Sequence, residues 1–147
     1  VLIGLIKLIM PEAKIIYCKR SPMDNCFSLY THKFVDMAHQ YSYNQKMLGK
    51  YYLMHEDLMS SLLSKYKDIF VLDNEELVYD QEGVSRNIIK YCNLDWEEEC
   101  LHFYKTKRQV RTASIEQVRQ PINKKSIGAW KSYKKYLDDL IICLEKK

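Results

Sequence analysis

An α/β chain with a parallel sheet is the fold class this sequence predicts, and three observations predict it. Two short β-prone runs, residues 13–19 and 69–73, are separated and followed by stretches with the apolar spacing of helices. The first run leads into Ser21-Pro22-Met23-Asp24, a helix start with Ser at the cap, Pro at the first helical position and Asp three residues after the cap. The resulting order, strand, helix, helix, strand, helices, belongs to α/β architectures. Two strands alone make a poor sheet, so further strands are expected upstream.

Each element has its own justification. Residues 1–10 read as a buried helix closed by Pro11. The apolar stretch ends far short of the ~20 residues that a membrane span needs. It also lacks the basic leader and small-residue cleavage site of a signal peptide. Beginning at Val1 rather than Met, it reads as a core helix entered part-way, and the chain is expected to be a fragment. Residues 13–19, Ala-Lys-Ile-Ile-Tyr-Cys-Lys, predict a buried strand. The helix that starts at Ser21 should run through the mid-30s. After a break near Tyr41-Ser42-Tyr43-Asn44, Leu48, Tyr51, Tyr52, His55, Leu58, Met59, Leu62 and Leu63 mark a long amphipathic helix. Residues 69–73 give the second strand. Asp80 to Cys92 predicts a helix with Val84, Ile88, Ile89 and Cys92 inward, and Asp95 can cap a short helix through Leu101 and Phe103. Residues 105–124 are polar, basic and aperiodic, a long loop of the kind that often carries function. Trp130, Tyr133, Leu137, Leu140, Ile141 and Leu144 mark a final amphipathic helix.

The bulk properties narrow the function classes. The 147 residues suffice for one domain with a core, and 47% hydrophobic with 29% charged residues is an ordinary globular composition. The net charge of +4 suits a small anionic ligand. A nucleic-acid binder would show a denser stripe of Lys and Arg. Five scattered cysteines without a CxxC pair argue against a disulfide framework or a zinc site, and they read as buried, reduced thiols of a cytoplasmic protein.

One stretch concentrates anion-binding chemistry. Arg20 ends a predicted strand, a helix N-terminus follows at once, and Ser28 lies six residues past Pro22. Ligands of open α/β sheets bind at the carboxyl ends of strands. A guanidinium, a hydroxyl and free helix N–H groups together suit a phosphate dianion. On spacing alone, an ordinary strand–loop–helix turn with a surface Arg is the favoured reading. Residues 105–120 likewise read, taken alone, as a solvated basic run.

Beyond spacing, Arg20-Ser21-Pro22-Met23-Asp24 with Ser28, preceded by Pro11-Glu12-Ala13-Lys14-Ile15-Ile16, resembles the R-x-P-x-D-x-x-x-S signature of sulfotransferases that use PAPS (3'-phosphoadenosine-5'-phosphosulfate). A second segment, Val110-Arg111-Thr112-Ala113-Ser114 with Gln117-Val118-Arg119-Gln120-Pro121-Ile122, is similar to one found in bacterial members that often carry tetratricopeptide repeats. Downstream, Lys124-Lys125-Ser126-Ile127-Gly128-Ala129-Trp130 looks like the family's closing G-x-W motif. The chain is also similar to the tyrosylprotein branch, whose second Arg is replaced here by His32. The resemblance spans roughly residues 1–137, with its motifs in order.

The resemblance implies a P-loop-type parallel sheet with flanking helices, of which residues 1–147 form the C-terminal part of a single domain with its N-terminal part missing. It implies sulfuryl transfer from PAPS to an unidentified acceptor hydroxyl or amine, leaving 3',5'-ADP, without a metal. Arg20 and Ser28 are implied to bind the cofactor's 3'-phosphate. Ser114 is carried over as the matched Ser of the second segment, with Arg119, Lys124, Lys125 and Ser126 as further cofactor contacts. Asn74-Glu75-Glu76-Leu77-Val78 stands where the family shows Y-E-x-L-V, so an amide replaces a Tyr that lies near the adenine. Asp80-Gln81-Glu82-Gly83 and Cys92-Asn93-Leu94-Asp95-Trp96 match structural spacings. The sequence has no loop to cradle the 5'-phosphosulfate and no residue identifiable as the catalytic base, so no catalytic residue is assigned. Nucleic acid and membrane are not expected partners; tetratricopeptide repeats upstream are compatible with the resemblance. A non-catalytic interaction module and a small basic nucleic-acid-binding domain remain the alternatives.

Overall fold

The computed structural model describes residues 2–34, 37–106 and 117–145. Most of these are helical, with a small two-stranded parallel sheet. They pack as two compact units. The helical unit comprises the described residues of Val1–Ala13, Arg20–Ile69 and Lys125–Lys147; the strand unit comprises those of Lys14–Lys19 and Phe70–Lys124. No described helix is long and apolar enough to cross a membrane.

The helical unit opens with α1 (Ile3–Ile9). Lys7 in its last turn pairs with Asp68 and donates to the Ala13 carbonyl at 3.0 Å, fixing the turn around Pro11. The expectation of a buried core helix does not hold: Leu5, Leu8 and Ile9 are exposed. An all-round apolar helix needs cover on every side, and the described residues leave much of α1 uncovered. Helix α2 (Pro22–Thr31) starts where expected but stops before the mid-30s. Thr31 Oγ1 turns back onto the Phe27 carbonyl at 2.9 Å, and His32 leaves the helix with extended backbone.

A 3₁₀ segment, Met37–Tyr43, broken at His39, leads to Asn44. Asn44 caps α3 (Gln45–Lys65) by accepting from the Met47 N–H at 3.0 Å. Of the predicted stripe, Leu48, Tyr52 and Met59 are buried, while Tyr51 and Leu58 are exposed. The single final helix is instead two pieces, a 3₁₀ segment over Ala129–Tyr136 and α6 (Asp138–Glu145), parted at Leu137. One side chain holds that junction. Gln45 Nε2 donates to the Tyr136 carbonyl at 2.7 Å, and its Oε1 accepts from the Leu140 N–H at 3.2 Å. The core joins Cys26 of α2, Leu48 and Tyr52 of α3, and Leu137 and Leu140 at the start of α6.

In the strand unit, β1 (Ile16–Lys19) pairs in parallel with β2 (Phe70–Asp73), with Ile16 opposite Phe70 and Lys19 opposite Asp73. Neither strand is fully buried; Ile16, Cys18 and Val71 are exposed. Asp73 ends β2 and caps α4 (Asn74–Tyr79), accepting from the Glu75 and Glu76 N–H groups at 2.9 and 3.0 Å. The sequence reading had no helix there. The helix expected from Asp80 to Cys92 is present as α5 (Gln81–Tyr91), and Asp80 caps it by accepting from the Gly83 N–H. The Tyr91 hydroxyl accepts from the Ile15 N–H and donates to the Ile15 carbonyl, both at 3.1 Å, tying α5 to the start of β1.

Helix α5 ends in a Schellman arrangement. The Leu94 N–H reaches the Ile89 carbonyl, the Asn93 N–H reaches the Lys90 carbonyl, and Asn93 adopts a left-handed φ of 57°. The next segment, Glu98–Lys105, is 3₁₀ rather than α and begins after Glu97, so Asp95 is not its cap.

Candidate functional site

The sequence predicts an anion anchor around Arg20, and in the helical unit two distant stretches of chain meet at that position. Asp24, in the first turn of α2, is 4% exposed. Its two carboxylate oxygens accept the Gly128 N–H at 2.9 and 3.0 Å. Gly128 has φ +70°, a conformation that glycine adopts without steric cost, and its carbonyl accepts from the Lys131 N–H at the start of the 3₁₀ turn. Four residues before Asp24, Arg20 Nη2 donates to the Ser126 carbonyl at 3.2 Å. The first motif and the closing motif therefore meet through two side chains of the first.

Arg20 is half-buried, and its Nε is buried with no hydrogen-bond acceptor among the described residues. A buried donor without an acceptor costs about 1–3 kcal/mol. Guanidinium groups present donors in a planar fork that fits carboxylate or phosphate oxygens. One donor of this fork is held on a carbonyl, and the buried Nε has no acceptor among the described residues.

Ser28 is exposed one helical turn beyond Asp24, so both lie on one side of α2. Lys125 and Ser126 have exposed side chains beside Gly128 in the chain. His32, at the tyrosylprotein branch's second Arg position, closes α2 and packs edge-on against Phe34 with centroids 4.6 Å apart.

The remaining sequence candidates belong to the strand unit or lie outside the described residues. Arg119 and Lys124 belong to the strand unit. Arg119 Nη1 donates to the Thr106 carbonyl, and the Lys124 ammonium lies 4.4 Å from the Tyr79 ring centre. Asn74 is the first residue of α4 and half-buried. Ser114 and Arg111 lie outside the described residues. The Arg86 guanidinium sits 4.2 Å over Trp96 and pairs with Glu82 and Glu98.

Sequence reading missed the latch formed by Asp24. It took Asp24 as part of the helix-start signal, three residues after a Ser21 cap, yet Asp24 accepts the Gly128 N–H and Ser21 makes no side-chain cap bond. The signal was present as two separate facts, an Asp on the face of α2 that carries Ser28 and a glycine just before Trp130. No spacing rule joins residues 104 positions apart. Among the described residues no cluster of His, Cys, Asp or Glu could hold a metal ion.

Residues 1–98 match the sulfotransferase family. The chain is also 35% identical over 147 residues, 98% of its own length, to an uncharacterized protein of Aquifex aeolicus strain VF5. The chain belongs to the sulfotransferase family. It spans 19% of the length of that Aquifex relative.

Proposed function

We propose that this chain is the 3'-phosphate-binding part of an enzyme that moves a sulfuryl group from PAPS to an acceptor hydroxyl or amine, releasing 3',5'-ADP. The observation that carries the proposal is the buried Nε of Arg20, which has no acceptor among the described residues while the same guanidinium is held by the Ser126 carbonyl. A phosphate oxygen would complete it with a charge-assisted hydrogen bond. Family membership supplies the reaction class, and the latch from Asp24 to Gly128 supplies the rigidity.

PAPS would supply the activated sulfuryl group; the described residues bind and orient. Arg20 neutralises charge on the 3'-phosphate, and Ser28 donates a hydroxyl from the second turn of the same helix. Lys125 and Ser126 add a cation and a hydroxyl from the segment that Arg20 holds. The family resemblance also assigns Arg119, Lys124 and Ser114 to the cofactor; Arg119 and Lys124 belong to the strand unit, and Ser114 lies outside the described residues. Fixing the donor's remote end converts binding into alignment of the reacting end, worth several kcal/mol in transfer reactions that depend on positioning.

Calorimetric titration of 3',5'-ADP into the intact protein tests this. Arg20→Ala should weaken binding about 10- to 100-fold, the range for one charged hydrogen bond, and Ser28→Ala about 3- to 10-fold. 5'-AMP, which lacks the 3'-phosphate, should bind weakly to the parent and be insensitive to both substitutions. Unchanged 3',5'-ADP affinity in both variants would show the assignment to be wrong.

A further inference from the structure

Asp24 sits between the two groups assigned to the 3'-phosphate, four residues after Arg20 and four before Ser28. Within a helix, residues four apart have Cβ atoms about 5–6 Å from each other. A phosphate held by Arg20 and Ser28 therefore comes within the ~8 Å over which charges act at physiological salt. Asp24 is buried, and a buried charge is screened less than a surface one. The anion site thus has a buried anion of its own beside it.

The hydrogen bonding of Asp24 does not call for that charge. Its oxygens accept the Gly128 N–H at 2.9 and 3.0 Å. One amide N–H needs one acceptor atom, and the neutral side-chain oxygen of an Asn would serve. The N-terminus of α2 favours a carboxylate in its first turn, which explains how the charge is tolerated there.

We infer that Asp24 is the positioning residue of the 3'-phosphate site and also tempers it: its oxygens hold the Gly128 turn, and with it Ser126, against Arg20, while its negative charge opposes the bound phosphate and speeds release of 3',5'-ADP. The inference rests on the reading of Arg20 and Ser28 as the phosphate anchor. Positioning follows from connectivity. Ser126 is two residues before Gly128, and its carbonyl accepts from Arg20 Nη2 at 3.2 Å. Gly128 turns the chain at φ +70°, and its carbonyl takes the Lys131 N–H at 3.0 Å. Loss of the Asp24 acceptor would strand a part-buried N–H and loosen the carbonyl that orients the guanidinium. The tempering follows from Coulomb's law. A carboxylate ~8 Å from a phosphate dianion weakens binding about 3- to 10-fold even in a water-like dielectric. A product must leave before the next donor binds, and opposition at its remote end shortens its stay without disturbing the reacting end.

Two neutral variants separate these roles. 3',5'-ADP is titrated calorimetrically into the intact protein, and its dissociation is timed by stopped flow. Asp24→Asn keeps an acceptor and removes the charge. It should bind 3',5'-ADP about 3- to 10-fold more tightly than the parent, chiefly through slower dissociation, and the gain should shrink as salt is raised. Asp24→Ala is equally neutral but has no acceptor, and it should bind about fivefold more weakly than Asp24→Asn. 5'-AMP should gain nothing from Asp24→Asn. Without nucleotide, the Gly128 amide proton should stay downfield in Asp24→Asn and Arg20→Ala and move upfield in Asp24→Ala; circular dichroism checks each fold. Affinity in Asp24→Asn no higher than the parent's would overturn the inference. So would a gain that persists at high salt, the mark of a new amide hydrogen bond to phosphate, or equal affinity in the two Asp24 variants. Unchanged 3',5'-ADP affinity in Arg20→Ala overturns the anchor reading and this inference with it. A loss in Arg20→Ala beside a parent-like Asp24→Asn overturns the inference alone.

Discussion

Helices α2, α3 and α6 bury several of their apolar residues fully on one another, whereas strands β1 and β2 leave theirs half-buried or exposed. Every described hydrophobic residue that is fully buried lies in the helical unit, among them Cys26, Leu48, Leu137 and Leu140. In the strand unit Ile16 is 36% and Val71 44% exposed. Yet the sequence of β1, Ile-Tyr-Cys-Lys after Ile15, is as apolar as any helix stripe here. Local apolarity records what an element is suited to cover; packing decides whether it is covered. The helical unit closes on itself because three amphipathic faces meet. A two-stranded sheet has two faces and two edges, and α4 and α5 cover only part of them.

The strongest way to break this comparison is to excavate each unit in turn. Leu140→Ala empties a fully buried position between α6 and α3 and should cost about 2–5 kcal/mol in urea unfolding. Ile88→Ala in α5, a half-buried site, should cost about 1–2 kcal/mol, since less area leaves contact. Equal losses would mean that the strand unit has a core as tight as that of the helical unit.

A pH experiment sharpens the same contrast. Burial first, then the neighbouring Cys143, pushes the Cys26 thiol up to about 12 from 9.0. In the unfolded chain this thiol ionises near 9, while in the folded chain it stays protonated to about 12. The folded state therefore binds the extra proton between those values. Stability should fall by roughly 1 kcal/mol per pH unit across that window and be insensitive to this group below it. Cys26→Ala should flatten that part of the alkaline loss, read as the difference between parent and variant in urea midpoints from pH 8 to 11. An identical slope in both proteins would show that Cys26 is solvated.

Much of this architecture was legible before the structure. Both strands, α3 and α5 follow from apolar spacing, which acts over a few residues; the Asn44 and Asp80 caps emerged only from the structure. The same local rules placed Arg20 and Ser28 at the start of α2. What could not be read was set by contacts between distant positions. The final helix breaks at Leu137 because Gln45, far upstream, holds the backbone on both sides of the break. Asp24 read as part of a helix start because such signals are local, and its true donor is Gly128. The exposure of α1 and β1 was illegible for the same reason. Helix α4 is the exception: Asp73 followed by Glu75 and Glu76 was a local start signal, obscured by reading residues 74–78 as a motif rather than as a helix.

The smallest effect probes the one place where the strand unit departs from an ideal backbone rule. Asn93 holds φ 57° at the end of α5, where two carbonyls of the last turn are satisfied by the Asn93 and Leu94 N–H groups. A Cβ in this region is unfavourable, and Asn tolerates it better than other non-glycine residues. Asn93→Gly should therefore stabilise the protein by about 0.5–1 kcal/mol if the folded-state relief exceeds the entropy glycine adds to the unfolded chain. Asn93→Val should destabilise it by about 1–2 kcal/mol, because a β-branched side chain fits the left-handed region worst. Amide exchange at Leu94 reports the same change locally: protection should rise in Asn93→Gly and fall in Asn93→Val. If the two substitutions leave that amide alike, the turn does not hold the end of α5, and the strand unit depends still more heavily on the Tyr91 hydroxyl for its link between helix and strand.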